Sequence, residues 1–335
     1  MKNLLILAFA VLFSTNMFGQ QDPMFTKYMF NSLHYNPAYA GSHDHLSLAL
    51  LHRTQWINFK GAPSTQTLTA HTPLRENRVG VGLTLLHDQI GATNTSSANL
   101  SYAYRIPFGK KAKLAIGVQG GVTNYRADWQ KLNLETGNDV AFAGENTNKW
   151  LPNFGLGIYF QTKHFYTGLS SPHLIEHKLR DKGTSSLEPS LIAQQYRHYF
   201  FTIGGAIPIK GDDIIFKPSL LIKNVGIDSK LRKTEELQAI NAPTEFDFDV
   251  SFLFMETLWV GTAFRSSIEK FSNDKSSFDS GDVWASYNLR NGMRIGLAYD
   301  YTLTEIRKET PGSFEVMLGY EFNFKNRRIE TPRYF

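Results

Sequence analysis

The chain has 335 residues, 42% hydrophobic and 13% aromatic, with a formal net charge of +5 and no cysteine. That length bounds the answer at two ordinary domains or one large all-β body. The missing thiols exclude disulfides, thiolate metal sites, a cysteine nucleophile and an acylated lipoprotein anchor. The interspersed charges form no basic stripe for nucleic acid.

Residues 1–19 have the layout of a secretory signal. Lys2 is the positive start, Leu4 to Phe13 the apolar run, and Gly19 the small residue before cleavage; Met17 is an uncommon residue two positions earlier. The apolar run is too short to span a bilayer as a helix. No other stretch has the roughly 18 consecutive apolar residues that such a helix needs. The expectation is an exported chain: a soluble periplasmic or extracellular protein, or an outer-membrane barrel.

Residues 20–43 form the next unit. Asp22 suits an N-cap and Pro23 the first helical position, where a missing N–H costs nothing. Phe25, Tyr28, Met29 and Leu33 follow at helical spacing, which predicts a short helix with one apolar face. Pro37 stops it and pushes Asn36 toward an extended backbone. Ala38, Tyr39, Ala40 and Gly41 then make a small-residue run around one ring. Side chains this large and apolar do not suit a free tail. The arm is expected to plug a barrel from the periplasm or to dock a partner; packing for stability is the plainer role.

From Asp44 the period changes to two. In 246–254 Phe246, Phe248, Val250, Phe252 and Phe254 face one way, and Asp247, Asp249 and Ser251 the other. Ile295, Leu297, Tyr299 and Tyr301 oppose Arg294, Gly296, Ala298 and Asp300; Val316, Leu318, Tyr320 and Phe322 oppose Glu315, Met317, Gly319 and Glu321. Val79 to Leu85 and Leu114 to Val118 repeat this with glycines on the second face. A soluble sandwich and a membrane barrel both alternate, but charges directly opposite Phe and Leu fit a wet lumen behind a lipid face. About fourteen strands are predicted, near 44–53, 64–73, 78–87, 93–106, 112–127, 150–161, 163–170, 195–207, 213–224, 245–255, 257–266, 281–290, 292–301 and 312–324. Connections after even-numbered strands are short, ending with the hairpin dipeptide Asn291-Gly292. Several after odd-numbered strands are long and polar: 128–149, 171–194, 225–244 and 266–280. Short turns at one end and long loops at the other are the outer-membrane pattern. The expected fold is therefore an all-β transmembrane antiparallel barrel over 44–324, with an N-terminal periplasmic arm or plug at 20–43. Phe322 and Phe324 look like a C-terminal assembly signal, and 325–335 is a basic periplasmic tail.

The arm also carries a resemblance. Gln21, Asp22, Pro23, Phe25, Tyr28, Asn31, Asn36, Pro37, Ala38, Tyr39, Ala40, Gly41 and Ser42 match the opening pattern of the PorP/SprF family, outer-membrane proteins of the type IX secretion system in Bacteroidetes. Ser32 stands where a proline is common, and His34-Tyr35 where aliphatic residues are usual. The likeness continues through 52–74 and 151–174 to EVMLGYEFNF and PRYF at the end. It implies an accessory component of secretion and gliding. The implied partners are outer-membrane lipid, type IX secretion components, a secreted surface adhesin and peptidoglycan-associated periplasmic proteins. Gln21, Asp22, Pro23, Phe25, Tyr28, Asn31, Asn36, Pro37, Tyr39 and Gly41 are the candidate partner-binding or plug residues. The alternative is a selective porin or transporter for small or hydrophobic solutes; the bulky inward residues Trp284, Met317 and Leu253 argue against a wide aqueous pore.

Catalysis and cofactors are not expected. His43 and His45, with His52 and His71 nearby, offer no third ligand at diagnostic spacing, so no metal is assigned. Ser170, Ser171 and His173 lack a nucleophile elbow. Trp56, Trp129, Trp150 and Trp259 are expected as interface or loop aromatics.

Overall fold

A computed structural model describes residues 25–75, 77–109, 112–128, 146–179, 194–211, 213–225, 244–267 and 278–322. The signal segment, Gln21, Asp22, Pro23, Trp129, the middles of the long loops, Phe324 and the tail lie outside the described residues.

The alternating segments form the strands they predict. These are β1 (Leu46–Thr54), β2 (Ser64–Leu74), β3 (Val79–Ile90), β4 (Thr93–Phe108), β5 (Ala112–Ala127), β6 (Thr147–Gln161) and β7 (Phe165–Ser171). The eighth strand, β8, is broken at Ala206 into His198–Gly205 and Ile207–Lys210. Then come β9 (Ile214–Val225), β10 (Glu245–Phe254), β11 (Leu258–Ser267), β12 (Phe278–Asn288), β13 (Met293–Thr302) and β14 (Ser313–Phe322). Each strand pairs antiparallel with its chain neighbours, β14 pairs β1, and β8 bridges β7 and β9. The result is a closed antiparallel barrel of 14 strands. Closure matters energetically: in hydrocarbon every backbone N–H and C=O must find a partner within the protein, and a closed sheet leaves no edge.

The two strand faces separate as predicted. On β10 Asp247 and Asp249 are 0% exposed, while Phe248 is 44% exposed. Leu100, Ile116, Val118, Leu156, Leu169 and Leu297 form the outward band. Exposed aromatics flank it: Tyr104, Phe108 and Tyr287 toward the short turns, Trp150, Phe278 and Tyr301 toward the long loops. This is the lipid-facing pattern of an outer-membrane barrel. One connection after an odd strand, Gly91–Ala92, is as short as those at the opposite end. Trp259 corrects its expectation, since it is buried and points into the lumen. It shares parity on β11 with Gly261, Ala263 and Arg265, whereas the outward set is Leu258, Val260, Thr262 and Phe264. No described helix is long and apolar enough to cross a membrane.

The purified protein is expected to migrate faster in a detergent gel before boiling than after, because a closed ladder opens only when it melts as a whole. Identical migration of the two samples would show that the sheet is not closed.

Candidate functional site

Residues 25–42 lie inside the barrel. They do not make the single amphipathic helix that the spacing predicts. A 3₁₀ turn spans Tyr28–Asn31, one α turn Ser32–Tyr35, and a second 3₁₀ turn Pro37–Tyr39. The reason is the setting: the lumen wall surrounds the arm, so no side is solvent-facing and one apolar face gives no advantage. Phe25, Tyr28 and Tyr35 pack with Leu51, Leu86, Phe200 and Leu221. Leu33, Ala38, Tyr39 and Ala40 pack with Ala103, Ala115, Tyr159 and Tyr166. Phe30 meets Trp259 and Trp284 edge-on at 4.7 and 5.7 Å between ring centres.

Local chemistry fixes the bend. Asn36 is extended, with φ −137° and ψ 111°, as a residue before proline should be. Its Oδ1 accepts the Ala38 N–H at 2.9 Å, capping the second 3₁₀ turn, and its Nδ2 donates to the Ile158 carbonyl at 3.1 Å. The wall is hollowed to receive this stretch. Inward glycines of five strand positions lie against it: Gly157 and Gly168 against Asn36, Gly117 against the Ala38 backbone, Gly82 against Leu33, and Gly80 against Ala40. Gly41 takes φ +67°, and a Cβ there would sit 2.6 Å from the Gly80 Cα, so close approach and backbone conformation both demand glycine.

Polar contacts anchor the upstream half. No side chain of the arm caps the first 3₁₀ turn. Instead the Glu315 carboxylate, from β14, accepts the backbone N–H of Thr26 at 2.9 Å and of Lys27 at 3.0 Å. Arg53 on β1 donates to Thr26 Oγ1 and pairs with Asp300 at 2.7 Å and Glu315 at 3.5 Å. Arg265 pairs with Asp247 at 2.8 Å and reaches the Phe25 carbonyl at 3.5 Å. Lys27 lies 4.3 Å from the Trp284 ring centre. Burial pulls its ammonium below the ordinary lysine range, and Asp249, Glu315, Asp282 and Asp247 pull it back up. Tyr28 donates to Ser219 at 2.7 Å, Asn31 to Thr67 at 3.2 Å, and Ser170 to the Tyr35 carbonyl at 2.8 Å. Arg105 donates to the carbonyls of Gly41 and Ser42.

Of the candidate residues, Phe25, Tyr28, Asn31, Asn36, Pro37, Tyr39 and Gly41 therefore all meet the lumen wall. Gln21, Asp22 and Pro23 lie outside the described residues. Ser170 donates to the Tyr35 carbonyl of the arm, and Ser171 Oγ lies 3.5 Å from the His173 carbonyl. Sequence reasoning missed Lys27, Arg53, Arg105 and Glu315. Their one available signal was parity, because each strand residue falls on the inward face.

The arm divides the lumen. Toward the long loops is a cavity of ≈ 570 Å³, lined by His34, Trp56, Asp88, Tyr125 and Thr302 among others. Toward the short turns is a second of ≈ 580 Å³, lined by Met29, Phe30, Tyr39, Lys217 and Arg294 among others.

None of the curated proteins matches the chain. Among solved structures, the CymD monoaromatic hydrocarbon channel aligns with TM-score 0.50 at 11% identity, over 94% of this chain and 100% of that one. The outer membrane protein Omp33 of Acinetobacter baumannii aligns with TM-score 0.46 at 8% identity, over 83% and 98%. A FadL homologue of Pseudomonas aeruginosa gives 0.46 at 12%, over 92% and 96%. At such identities the first likeness is one of fold alone, an outer-membrane barrel. The model of the type IX secretion system membrane protein PorP/SprF matches residues 17–320. The chain belongs to that family, as an outer-membrane component of the type IX secretion system.

Proposed function

We propose that this barrel is an accessory, non-enzymatic part of the secretion and gliding machinery. It supports export or surface attachment of an adhesin and links to periplasmic components, peptidoglycan-associated proteins among them. The observation that carries the reading is the filled lumen. Residues that match the family pattern (Tyr28, Asn31, Asn36, Pro37, Tyr39) are spent on closing the barrel from within. A barrel closed in this way works through its surfaces: long loops outside and short turns in the periplasm. The plug is then what keeps a large membrane part of an export machine from leaking small solutes.

Affinity isolation of the tagged protein from native membranes tests this. Secretion components and an exported adhesin are expected to co-purify, and a deletion strain is expected to lose adhesin display. Normal display in that strain, or recovery of the barrel alone, would overturn it. A second arm of the experiment uses the variant Tyr28→Ala, Asn31→Ala, Asn36→Ala and Tyr39→Ala. It is expected to insert and remain heat-modifiable, because the sheet closes without the arm, yet to lose co-purification and display. Failure to insert would assign the arm to assembly of the barrel instead.

A further inference from the structure

The short-turn cavity holds a cluster of histidines beside the downstream end of the plug. His43 and His45 lie just before β1, and their ring centres are 5.5 Å apart. His71 on β2 stands 5.0 Å from His43. Glu321 comes from β14, whose register places it opposite Ser47, and Ser47 in turn faces His71. One row across the seam of the barrel thus reads Glu321, Ser47, His71, with His43 and His45 over it. His52 does not belong: it is exposed and pairs with Thr54 and Gln66.

We propose that His43, His45 and Glu321 form a site for a zinc-class divalent cation facing the periplasm. One donor atom from each lies within 4.8 Å of the other two, and His45 Nε2 is already 3.2 Å from Glu321 Oε2. Tetrahedral zinc with bonds of about 2.0–2.1 Å needs donors about 3.3 Å apart. The remaining closure falls to His43 and His45, which precede the strand and are not held in its ladder. Two imidazoles and a carboxylate, with a fourth position open to the wet cavity, are a donor set that zinc takes. The surroundings orient the ligands as outer-shell partners should. Ser47 Oγ lies 2.6 Å from His43 Nδ1 and Tyr39 Oη 3.2 Å from its Nε2, so a hydroxyl steadies whichever nitrogen does not carry the ion. Arg294 sits 3.5 Å from Glu321 Oε1, leaving Oε2 toward the imidazoles. His71 Nδ1 is buried with no hydrogen-bond partner among the described residues, a fourth nitrogen or oxygen donor near the first three. His43, His45 and Glu321 all line the cavity, which supplies the entry path. The ion would tie the end of the plug, through Tyr39 and His43, to the last strand at the point where first and last strands meet.

The test uses the full chain purified in detergent, stripped with a chelator and titrated with Co²⁺, then Zn²⁺. One Co²⁺ per chain is expected, with the intense visible absorption of a four-coordinate ion, displaced by Zn²⁺. Zn²⁺ should also raise the temperature at which the gel mobility shift is lost. His45→Gln and Glu321→Gln are expected to weaken binding at least about tenfold while staying heat-modifiable; His52→Ala leaves it unchanged. A folded wild-type protein that binds no Co²⁺ overturns the proposal, and this needs no variant to fold. Binding that survives both Gln variants, or that is lost equally with His52→Ala, overturns it too.

Discussion

Wild-type protein in a planar bilayer is expected to show no steady ohmic conductance, and Gly117→Val to show channel-sized steps. Gly117 faces inward on β5, and a Cβ there would overlap the backbone of Ala38 and the carbonyl carbon of Pro37. The wall cannot give way, since β5 pairs along its length with β4 and β6, and a β-branched residue suits a strand. The arm cannot slide, since Asn36 is held against Gly157 and Gly168 on one side and Ala40 against Gly80 on the other. It must lift, and the cavities of ≈ 570 and ≈ 580 Å³ then join. Gly120→Val is the control: a Cβ there meets only the Phe154 ring, at an ordinary 3.7 Å. Large conductance from the wild type would favour the selective-channel reading. Silence from a folded Gly117→Val barrel would mean that the arm is not what closes the lumen.

The barrel was legible because its physics is local. Lipid on one side and a packed interior on the other impose a period of two on each strand, and 246–254 shows it without ambiguity. Every predicted strand lies over an observed one, with ends displaced by a few residues. The Asn36-Pro37 bend was legible for the same reason. The plug's seat was not, because it is built by pairs that closure alone brings together. Thr26 and Glu315 are 289 residues apart, and spacing has nothing to say about them. Glu321 reaches His45 only because the last strand returns to the first, so a search for a third ligand near the histidines could not find it. Trp259 illustrates the opposite error. A tryptophan at a strand end suggested the membrane interface, while its parity with Gly261, Ala263 and Arg265 already pointed inward. The inward glycines at 80, 82 and 117 were visible as a face, and those at 157 and 168 join them only in the structure; a row of missing side chains identifies what fills it only when the arm is seen lying there.

Arg53→Met is expected to destabilise the barrel by about 3–5 kcal/mol, the cost of removing one partner from a buried ion pair. Arg53 is 2% exposed and is the cation nearest two buried carboxylates, at 2.7 Å from Asp300 and 3.5 Å from Glu315. Without it Asp300 keeps Arg265 only at 3.9 Å. Glu315 must then hold the Thr26 and Lys27 N–H groups with its charge uncompensated by an arginine. The loss should therefore fall first on the arm. Unfolding by guanidinium in detergent can be followed by the fluorescence of Trp259 and Trp284, which touch Phe30 and so report the arm as well as the wall. The variant is expected to show an early transition at these tryptophans, ahead of the loss of sheet. Replacing Arg53 together with its two carboxylates, Arg53→Met with Asp300→Asn and Glu315→Gln, should recover much of the stability, because neither carboxylate is then left charged without its arginine, while Arg265 keeps Asp247 at 2.8 Å. It should not restore the seating of the arm, since a neutral amide accepts the two N–H groups less strongly than a carboxylate. A single-variant loss below about 1 kcal/mol, the range of exposed pairs, would show that water reaches these groups and that the upstream half of the arm is held by its aromatic packing alone.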